Sequence, residues 1–173
     1  MKVVMFVNKD YPLQYTLNNI EIYIHKRVLS IFKTYRQEKR DDNERFGVLI
    51  GSKSSENDFY WIDEVTTPFF DDVATRISFT MKDPCHQKII DQTFQESGGE
   101  NVYMGTWHTH PQRVPKPSFV DKEDWLRCLK RNQKRQLFFV IVGTDEIEVF
   151  IRNKKSFVSM VSRSFKDEYL SNK

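Results

Sequence analysis

Cysteine is scarce in this chain of 173 residues, which contains only Cys85 and Cys128. Two cysteines are too few for the disulfide framework of a small secreted domain, so we expect reduced thiols and a cytoplasmic protein. Long apolar runs are missing as well. The run over residues 1–7 ends before Lys9 and Asp10. It is too short for a signal-peptide core or a membrane span, and we predict a β-strand there.

A strong charge of one sign is also absent. The chain has 27 basic and 24 acidic residues, for a net charge of +3, and this balance indicates neither a nucleic-acid nor a membrane partner. We interpret the densest basic cluster, residues 130–135, as the solvated end of a helix, where cations suit the helix dipole. Hydrophobic residues make up 39% of the chain, enough for a core, so we predict one domain over residues 1–173.

Periodicity predicts helices alternating with strands. One helix starts at His25, a second opens at Asp83-Pro84 and ends at Gly98-Gly99, and a third opens at Ser118. Strands are predicted at residues 15–24, 46–50, 59–66, 76–81, 102–107 and 136–142, and in a hairpin partner that begins at Ile147. The segment from Ser156 is compatible with one more strand or a short helix. The mixture predicts an α/β or α+β fold, a mixed β-sheet flanked by helices.

The helices also have predicted buried faces. These comprise Ile89, Ile90 and Phe94 in the second helix, and Trp125, Leu126 and Leu129 in the third. Cys128 is predicted to be a buried structural thiol. His86 is predicted to lie on a helix surface, because it has no metal-binding partner nearby in the sequence.

A candidate metal site follows the predicted strand 102–107. His108 and His110 are two residues apart and so point to one side of the sheet. Asp121 lies in the first turn of the next helix and can supply a third ligand. Two imidazoles and one carboxylate form the ligand set that a catalytic zinc site combines with an open position for water.

Each part of this pattern also has a plainer interpretation. Ser118 and Asp121 match a helix capping box, with Ser118 as the N-cap, although one serine can cap a helix and still face a site.

A metal-activated water also needs a proton shuttle. Our candidate is Glu44, which comes just before a predicted buried strand. The alternative is that Glu44 is a solvated loop residue, in which case Glu38 is the next candidate.

The chain resembles the JAB/MPN metalloproteases in their JAMM motif. The motif reads here as His108-x-His110-Pro111-x6-Ser118-x2-Asp121, with the upstream Glu44-x-x-Gly47-x-Leu49-x-Gly51. The resemblance implies a zinc peptidase with the cytidine deaminase-like fold of that family. It implies that His108, His110 and Asp121 bind Zn2+, that Glu44 is the general acid/base, and that Ser118 helps to hold the oxyanion.

A narrower resemblance, to the bacterial JAB branch of antiphage defence islands, covers most of the chain. It rests on Tyr35-Arg36-Gln37, Thr67-Pro68-Phe69-Phe70-Asp71-Asp72, Arg76-x-x-Phe79, Ser97-Gly98-Gly99 and Trp107-His108-Thr109-His110-Pro111. That branch is similar to the JAB peptidase of CBASS operons, in which an E1/E2-like protein attaches a cGAS-like nucleotidyltransferase to targets by its C-terminus. The resemblance implies an isopeptidase that removes this nucleotidyltransferase.

Three alternatives stay open. One is a JAB peptidase that acts on another ubiquitin-like or sulfur-carrier protein, and the second is a non-catalytic MPN scaffold. The third is a nucleic-acid-associated JAB protein, which only the basic cluster near Lys134 would suggest. For a peptidase, the substrate tail must lie extended beside the metal, and strand addition is the expected mode. We hypothesise that residues 66–79 form part of the tail groove, because they combine Phe69 and Phe70 with Asp71, Asp72 and Arg76. A plain surface loop is the alternative.

We predict that acidification releases the metal, because a protonated imidazole cannot bind zinc and free histidine has a pKa of about 6.5. The zinc content of protein dialysed at a series of pH values measures this. We expect full occupancy at about pH 8 and progressive loss below about pH 6.5. Full occupancy well below that value would contradict the simple linkage of metal binding to histidine protonation.

Overall fold

The computed structural model describes residues 9–163, so the strand predicted at residues 1–7 lies outside the described part. The strands are β1 (Leu13–Leu17), β2 (Ile20–Ile24), β3 (Phe46–Lys53), β4 (Phe59–Val65), β5 (Val73–Ala74), β6 (Phe79–Thr80), β7 (Val102–Thr109), β8 (Phe138–Val142), β9 (Ile147–Asn153), β10 (Ser156–Ser159) and β11 (Val161–Ser162). The helices are α1 (Lys26–Tyr35), α2 (Cys85–Glu96) and α3 (Phe119–Arg131). This mixed architecture confirms the predicted α+β fold.

One large sheet dominates the fold. Its nine strands follow the order β10-β9-β8-β7-β3-β4-β2-β1-β11, while β5 and β6 pair separately. The pairs β2–β4 and β7–β8 are parallel. β10 and β11 lie at opposite edges, yet only Met160 separates them in the chain. The sheet therefore curls until its edges meet, and the Tyr15 hydroxyl on β1 donates to the Ile147 carbonyl on β9 at 2.8 Å.

Two hydrophobic cores lie on opposite faces of this sheet, and alternate residues of β8 belong to each. Inside the curl, α1 packs against Trp107. On the outer face, α3 buries Trp125, which stacks on Phe139 with ring centroids 4.8 Å apart. Cys128 is buried as predicted, whereas Leu126 is 38% exposed. Burial of one large side chain contributes about 2–3 kcal/mol, so Trp125 is the main anchor of α3.

The structure corrects the strand predicted at residues 15–24. Residues 15–24 are predicted as one strand, but they belong to the hairpin β1–β2, with Leu17 opposite Ile20. Asn18 and Asn19 form the two-residue turn. Asn18 has a φ of 53°, a left-handed conformation that asparagine adopts more readily than most residues. The apolar pattern of the flanking residues obscures this turn signal.

The strand predicted at residues 76–81 is likewise too long. Only β6 is extended there, and it pairs with β5, which was not predicted. The Thr75 N–H donates to the Ser78 carbonyl at 2.8 Å and closes the turn between them. Ile77, at the tip of this turn, is 81% exposed. The alternating pattern therefore belongs partly to a hairpin tip, where no neighbouring strand pairs with it.

The prediction that His86 lies on a helix surface is wrong. The side chain is buried, with Nδ1 2.6 Å from Thr66 Oγ1 and Nε2 2.7 Å from Asp72 Oδ2. Thr66 Oγ1 also accepts the Val48 N–H at 2.9 Å. Phe94, which was predicted to be buried, is 47% exposed. Polar contacts of His86 therefore secure α2 where an apolar face was expected.

Asp72 extends this network to the segment before α2. Its carboxylate accepts the backbone N–H groups of Phe69, Lys82 and Asp83 at 2.8–2.9 Å, in addition to its contact with His86. The buried Asp72 carboxylate therefore binds the backbone at both ends of the segment that contains β5 and β6. The segment is fastened to the sheet through His86.

The helices of residues 9–163 include none that is long and apolar enough to cross a bilayer, and α3, the longest, has 13 residues. α3 ends at Arg131, and the basic cluster at residues 130–135 is exposed or partly exposed. The cluster thus lies at a helix end before β8, as predicted.

We expect His86→Ala to lower the free energy of unfolding by about 2–3 kcal/mol, because the substitution leaves Thr66 and Asp72 buried without their partner. Urea denaturation followed by circular dichroism measures the change. Lys88→Ala, on the exposed face of the same helix, is the matched control, with an expected change below about 0.5 kcal/mol. Equal effects of the two substitutions would show that the His86 network does not stabilise the fold.

Candidate metal centre

The end of β7 carries the histidine pair. His108 lies within the strand, between Phe46 of β3 and Ile141 of β8. His110 follows, and its backbone N–H donates to the Val142 carbonyl of β8 at 3.0 Å. The two Nε2 atoms are 3.1 Å apart. The strand therefore presents both imidazoles on one side, as their spacing predicts.

Asp121 reaches this pair from the first turn of α3. Its N–H donates to Ser118 Oγ at 3.1 Å, and its Oδ2 accepts the Ser118 N–H at 2.6 Å, which completes a capping box. Its Oδ1 lies 3.1 Å from His108 Nε2. One side chain therefore combines the capping contact with a place in the cluster.

The loop between the histidines and α3 is fastened to the β8–β9 turn. The carbonyls of Gln112 and Arg113 accept N–H groups of residues 144–146 at 2.9–3.1 Å. Pro115 is buried beside Gly143, where an added Cβ would lie 2.6 Å from Pro115 Cδ and 2.7 Å from two loop carbonyl oxygens. Only glycine permits this approach, so the turn helps to set where α3 begins.

The three side chains form a compact cluster. The shortest separations are 3.1 Å between the Nε2 atoms, 3.1 Å from His108 to Asp121, and 3.4 Å from His110 Nε2 to Asp121 Oδ2. Zinc held tetrahedrally by bonds of about 2.0–2.1 Å separates its ligand atoms by about 3.3 Å. The side chains are buried. Both the donor types and their spacing therefore fit a zinc ion.

The pKa values of the three side chains show how the cluster is charged. Burial opposes ionisation of Asp121, but hydrogen bonds from His108 and His110 hold the pKa of this carboxyl well below its ordinary value. Burial lowers the pKa of His108. Burial also acts downwards on His110, but the hydrogen bond and charge of Asp121, with Glu44 nearby, raise its pKa overall. The cluster thus contains a carboxylate charge that a metal ion can neutralise.

Gln112 is a site residue that the sequence does not reveal. Its Oε1 lies 3.3 Å from His110 Nδ1 and accepts the Lys116 N–H at 2.9 Å. An amide oxygen is an acceptor, so Gln112 favours the tautomer of His110 that carries a proton on Nδ1 and that can offer the Nε2 lone pair to a metal in place of the hydrogen bond to Asp121. Its position two residues after His110 is the only sequence signal for this contact.

Glu44 lies beside the cluster. Its Oε1 is 3.9 Å from His110 Nε2, and the residue is 3% exposed. Burial raises the pKa of Glu44 to about 7, against the lowering effect of His110. The Glu44 N–H donates to the Thr75 carbonyl at 2.8 Å, which ties it to the β5–β6 hairpin. A carboxyl that titrates near neutral pH can both accept and return a proton.

The alternative candidate, Glu38, is placed elsewhere. It pairs with Arg36 at 3.1 Å, and its side chain is 54% exposed. Its neighbour Gln37 is buried, accepts the Thr109 hydroxyl at 2.8 Å and donates to two backbone carbonyls of nearby loops. Gln37 appears in the sequence resemblance without a predicted role, and in the structure it ties the loop carrying Glu44 to β7.

A family model described as "Prokaryotic homologs of the JAB domain" matches residues 27–156. The chain belongs to this family. Its mixed sheet with three helices is the JAB/MPN fold that the sequence resemblance predicts.

Curated relatives of this JAB protein have names that describe peptide-bond chemistry. A CD-NTase/cGAS isopeptidase of Escherichia coli (strain TW11681) is 32% identical over 126 residues, which are 73% of this chain and 78% of the relative. One of the same name from Pseudomonas aeruginosa (strain BWHPSA011 / Pa011) is 31% identical over 133 residues, or 76% and 83% of the two chains. A probable metalloprotease of Sinorhizobium fredii is 35% identical over 79 residues, 41% of this chain and 46% of the relative.

The fold also resembles a solved structure. The solution structure of protein DSY2949 from Desulfitobacterium hafniense has a TM-score of 0.51 and 21% identity, and the match covers 80% of this chain and 88% of that one. This likeness concerns the fold alone.

A groove of about 950 Å³ opens from the histidine–aspartate cluster of the JAB protein. It runs between α2 and α3 across β7, with His108 and Asp121 at one end and Tyr103 and Arg131 at the other. The groove is open to the cluster, so an extended chain can lie in it and reach these side chains.

The segment 66–79, assigned to a tail groove by our sequence hypothesis, contributes Phe79 to the groove lining. Phe79 stacks on Phe46, with ring centroids 4.4 Å apart, and its ring lies 5.3 Å from that of His108. Phe69 instead packs edge-on against another histidine, the buried His86 of α2, at 4.8 Å. Phe70 is 98% exposed. The groove therefore draws on the end of this segment and on residues 80–83 that follow it.

We expect Glu44→Gln to stabilise the metal-free protein by about 1–3 kcal/mol above about pH 7. The pKa of Glu44 is about 7 in the folded protein and about 4.3 in an unfolded chain. The carboxyl therefore lowers stability progressively as the pH rises between these values, and the full cost persists above them.

Urea denaturation of EDTA-treated protein at about pH 5 and about pH 8 measures this effect. The gain should be large only at the higher pH. Glu38→Gln, which removes an exposed carboxylate, is the control and should show no such gain. Equal stabilities of wild type and Glu44→Gln at the higher pH would contradict the raised pKa.

Proposed function

We propose that this JAB protein is a zinc-dependent isopeptidase that releases a conjugated protein from its target by cutting after that protein's C-terminus. One observation carries the proposal: a buried carboxyl with a pKa of about 7, Glu44, lies 3.9 Å from a cluster of two histidines and an aspartate whose spacing suits zinc. The names of the relatives, isopeptidase and metalloprotease, support it. A non-catalytic scaffold requires neither group.

The proposed metal ligands are His108, His110 and Asp121. Imidazole and carboxylate donors in one compact set favour Zn2+, which when bound supplies a Lewis acid that activates water and polarises a carbonyl. Gln112 would hold the tautomer of His110, and the capping box with Ser118 would orient the Asp121 carboxylate.

Glu44 is the proposed proton shuttle. With a pKa of about 7, its carboxylate can take the proton of the attacking water and its acid form can deliver that proton to the departing lysine amine. Ser118 is proposed to stabilise the oxyanion. Its Oγ accepts the Asp121 N–H, so its own O–H remains available to donate to a substrate oxygen.

The substrate tail is proposed to enter as an extended strand along β6. Within the described residues, β6 pairs with β5 on one side only, and residues 79–83 line the groove. The other edge of β6 offers unpaired backbone groups of the kind that an added strand uses. Phe79, packed on Phe46, would form the apolar surface next to the scissile bond.

The proposed substrate is a cGAS-like nucleotidyltransferase attached to targets by its C-terminus. The relatives from Escherichia coli and Pseudomonas aeruginosa are named CD-NTase/cGAS isopeptidases. An E1/E2-like ligase would form the linkage that this protein cuts, and the setting would be the antiphage defence that the sequence resemblance implies.

We expect the zinc-loaded wild-type protein to cleave a purified nucleotidyltransferase–target conjugate, and Glu44→Gln to reduce kcat by about 10²–10⁴-fold, because a proton-transfer group is lost. Gel analysis of the released nucleotidyltransferase measures cleavage, and the zinc content of each protein is measured in parallel. Glu38→Gln is the control and should cleave at the wild-type rate with the same zinc content.

Three outcomes would contradict parts of this proposal. Wild-type rates in Glu44→Gln would assign the proton transfer to another residue. Loss of zinc from Glu44→Gln would make Glu44 part of the metal site. No cleavage by wild type with zinc bound would exclude this conjugate as the substrate.

A further inference from the structure

Two arginines at the outer end of the groove have no carboxylate partner among residues 9–163. Arg131 and Arg135 both line the groove, and both are exposed. Across residues 9–163, no salt bridge involves either guanidinium. Arg127, which also lines the groove, pairs with Asp124 at 2.5 Å. Two guanidinium groups without a salt-bridge partner therefore lie at the end of the groove away from His108 and Asp121.

None of the acidic residues of the groove other than the proposed metal ligand forms a salt bridge with Arg131 or Arg135. Asp124 pairs with Arg127, Asp83 accepts two backbone N–H groups, and Asp91 accepts the amide of Gln87. Beyond Asp91, α2 contributes the half-exposed Phe94 to the lining. The outer end thus combines two cations with an apolar surface.

Arg131 faces the groove because of its position on α3. Asp121, Cys128 and Arg131 have the spacing of residues on one side of a helix, and all three line the groove. Lys130, in the same last turn, suits the helix dipole equally well but does not line the groove. The helix end alone therefore does not explain why cations lie on the groove side.

The linkage proposed as substrate determines which chain occupies a groove of this length. An isopeptide bond joins a backbone carboxyl to a lysine side chain, so only the carboxyl side arrives as an extended strand. Ten helical residues separate Asp121 from Arg131, a distance of about 15 Å. An extended chain covers this distance in about four to five residues, and Arg135 extends it further.

We propose that Arg131 and Arg135 select substrate tails that carry Asp or Glu about four to six residues before the scissile bond. The inference rests on the proposed isopeptidase function and adds the chemical class of the tail. A tail carboxylate there pairs with two guanidiniums that have no carboxylate partner among residues 9–163, and arginine forms strong, charge-assisted hydrogen bonds with carboxylates. A lysine or arginine at that place faces two like charges instead.

The test compares three versions of one fusion, in which the C-terminal segment of a cGAS-like nucleotidyltransferase precedes a fluorescent protein. The residues about four to six before the scissile bond are all Glu, all Gln or all Lys. We expect wild type to cleave the Glu tail with a kcat/KM about 5–20-fold above that of the Lys tail, mainly through KM. Arg131→Glu/Arg135→Glu should reverse this order.

Two further measurements separate charge recognition from general effects on the protein. Lys130→Glu reverses one positive charge in the last turn of α3, but this side chain lies outside the groove. The Lys130→Glu variant should therefore still cleave the Glu tail faster than the Lys tail. Anisotropy of labelled tail peptides on Glu44→Gln measures binding without turnover. We expect the Glu peptide to bind more tightly than the Lys peptide, and the difference to shrink as salt is raised.

The outcomes distinguish this inference from the proposed function. Equal cleavage and equal binding of the three tails by wild type would overturn the inference and leave the isopeptidase function intact. No cleavage and no binding of any tail by zinc-loaded protein would overturn both. Dimerisation of wild type that Arg131→Glu abolishes, together with equal cleavage of all tails, would assign the groove to a second copy of the chain.

Discussion

The contact between Asp121 and two buried imidazoles determines where α3 must lie against the end of β7. A carboxylate that is 7% exposed costs several kcal/mol unless it is paired, so the fold must bring a helix start to a strand end with little tolerance. Trp125 holds α3 on the sheet, the bonds between the loop and the β8–β9 turn set where the helix begins, and the capping box with Ser118 orients the carboxylate. These contacts position Asp121, a proposed metal ligand, and among their residues only Ser118 also has a proposed role in the reaction.

The surroundings shift the pKa values of two carboxyl groups of one site in opposite directions. Asp121 receives hydrogen bonds from both histidines, which hold its pKa well below the ordinary value against the effect of burial. Burial dominates for Glu44 and raises its pKa to about 7. Environments that separate two pKa values in this way divide the roles of charged ligand and proton carrier. A change in packing where Glu44 meets the β5–β6 hairpin would therefore affect the proposed proton transfer without changing the proposed metal ligands.

The parts predicted from the sequence are those that local spacing controls. The two-residue interval between His108 and His110 predicted that both side chains lie on one side of the sheet. The position of Asp121 in the first turn of a helix predicted that it lies near them. Apolar periodicity predicted α1 and α3. Gln37 and His86 escaped prediction because their roles arise from partners that are distant in the sequence, Thr109 for one and Thr66 and Asp72 for the other. The β1–β2 turn was missed because the flanking apolar residues resemble one continuous strand.

The curled sheet determines which contacts can form only late during synthesis of the chain. Tyr15 pairs with Ser162, and residues 156–162 join the edges formed by β9 and β1. Contacts so distant in sequence form late, because a long loop must close before they stabilise the chain. A chain still emerging from the ribosome thus retains two open strand edges until residue 162 is free, and such edges favour association with other chains. Loss of β10 and β11 would expose the same two strand edges in the finished protein.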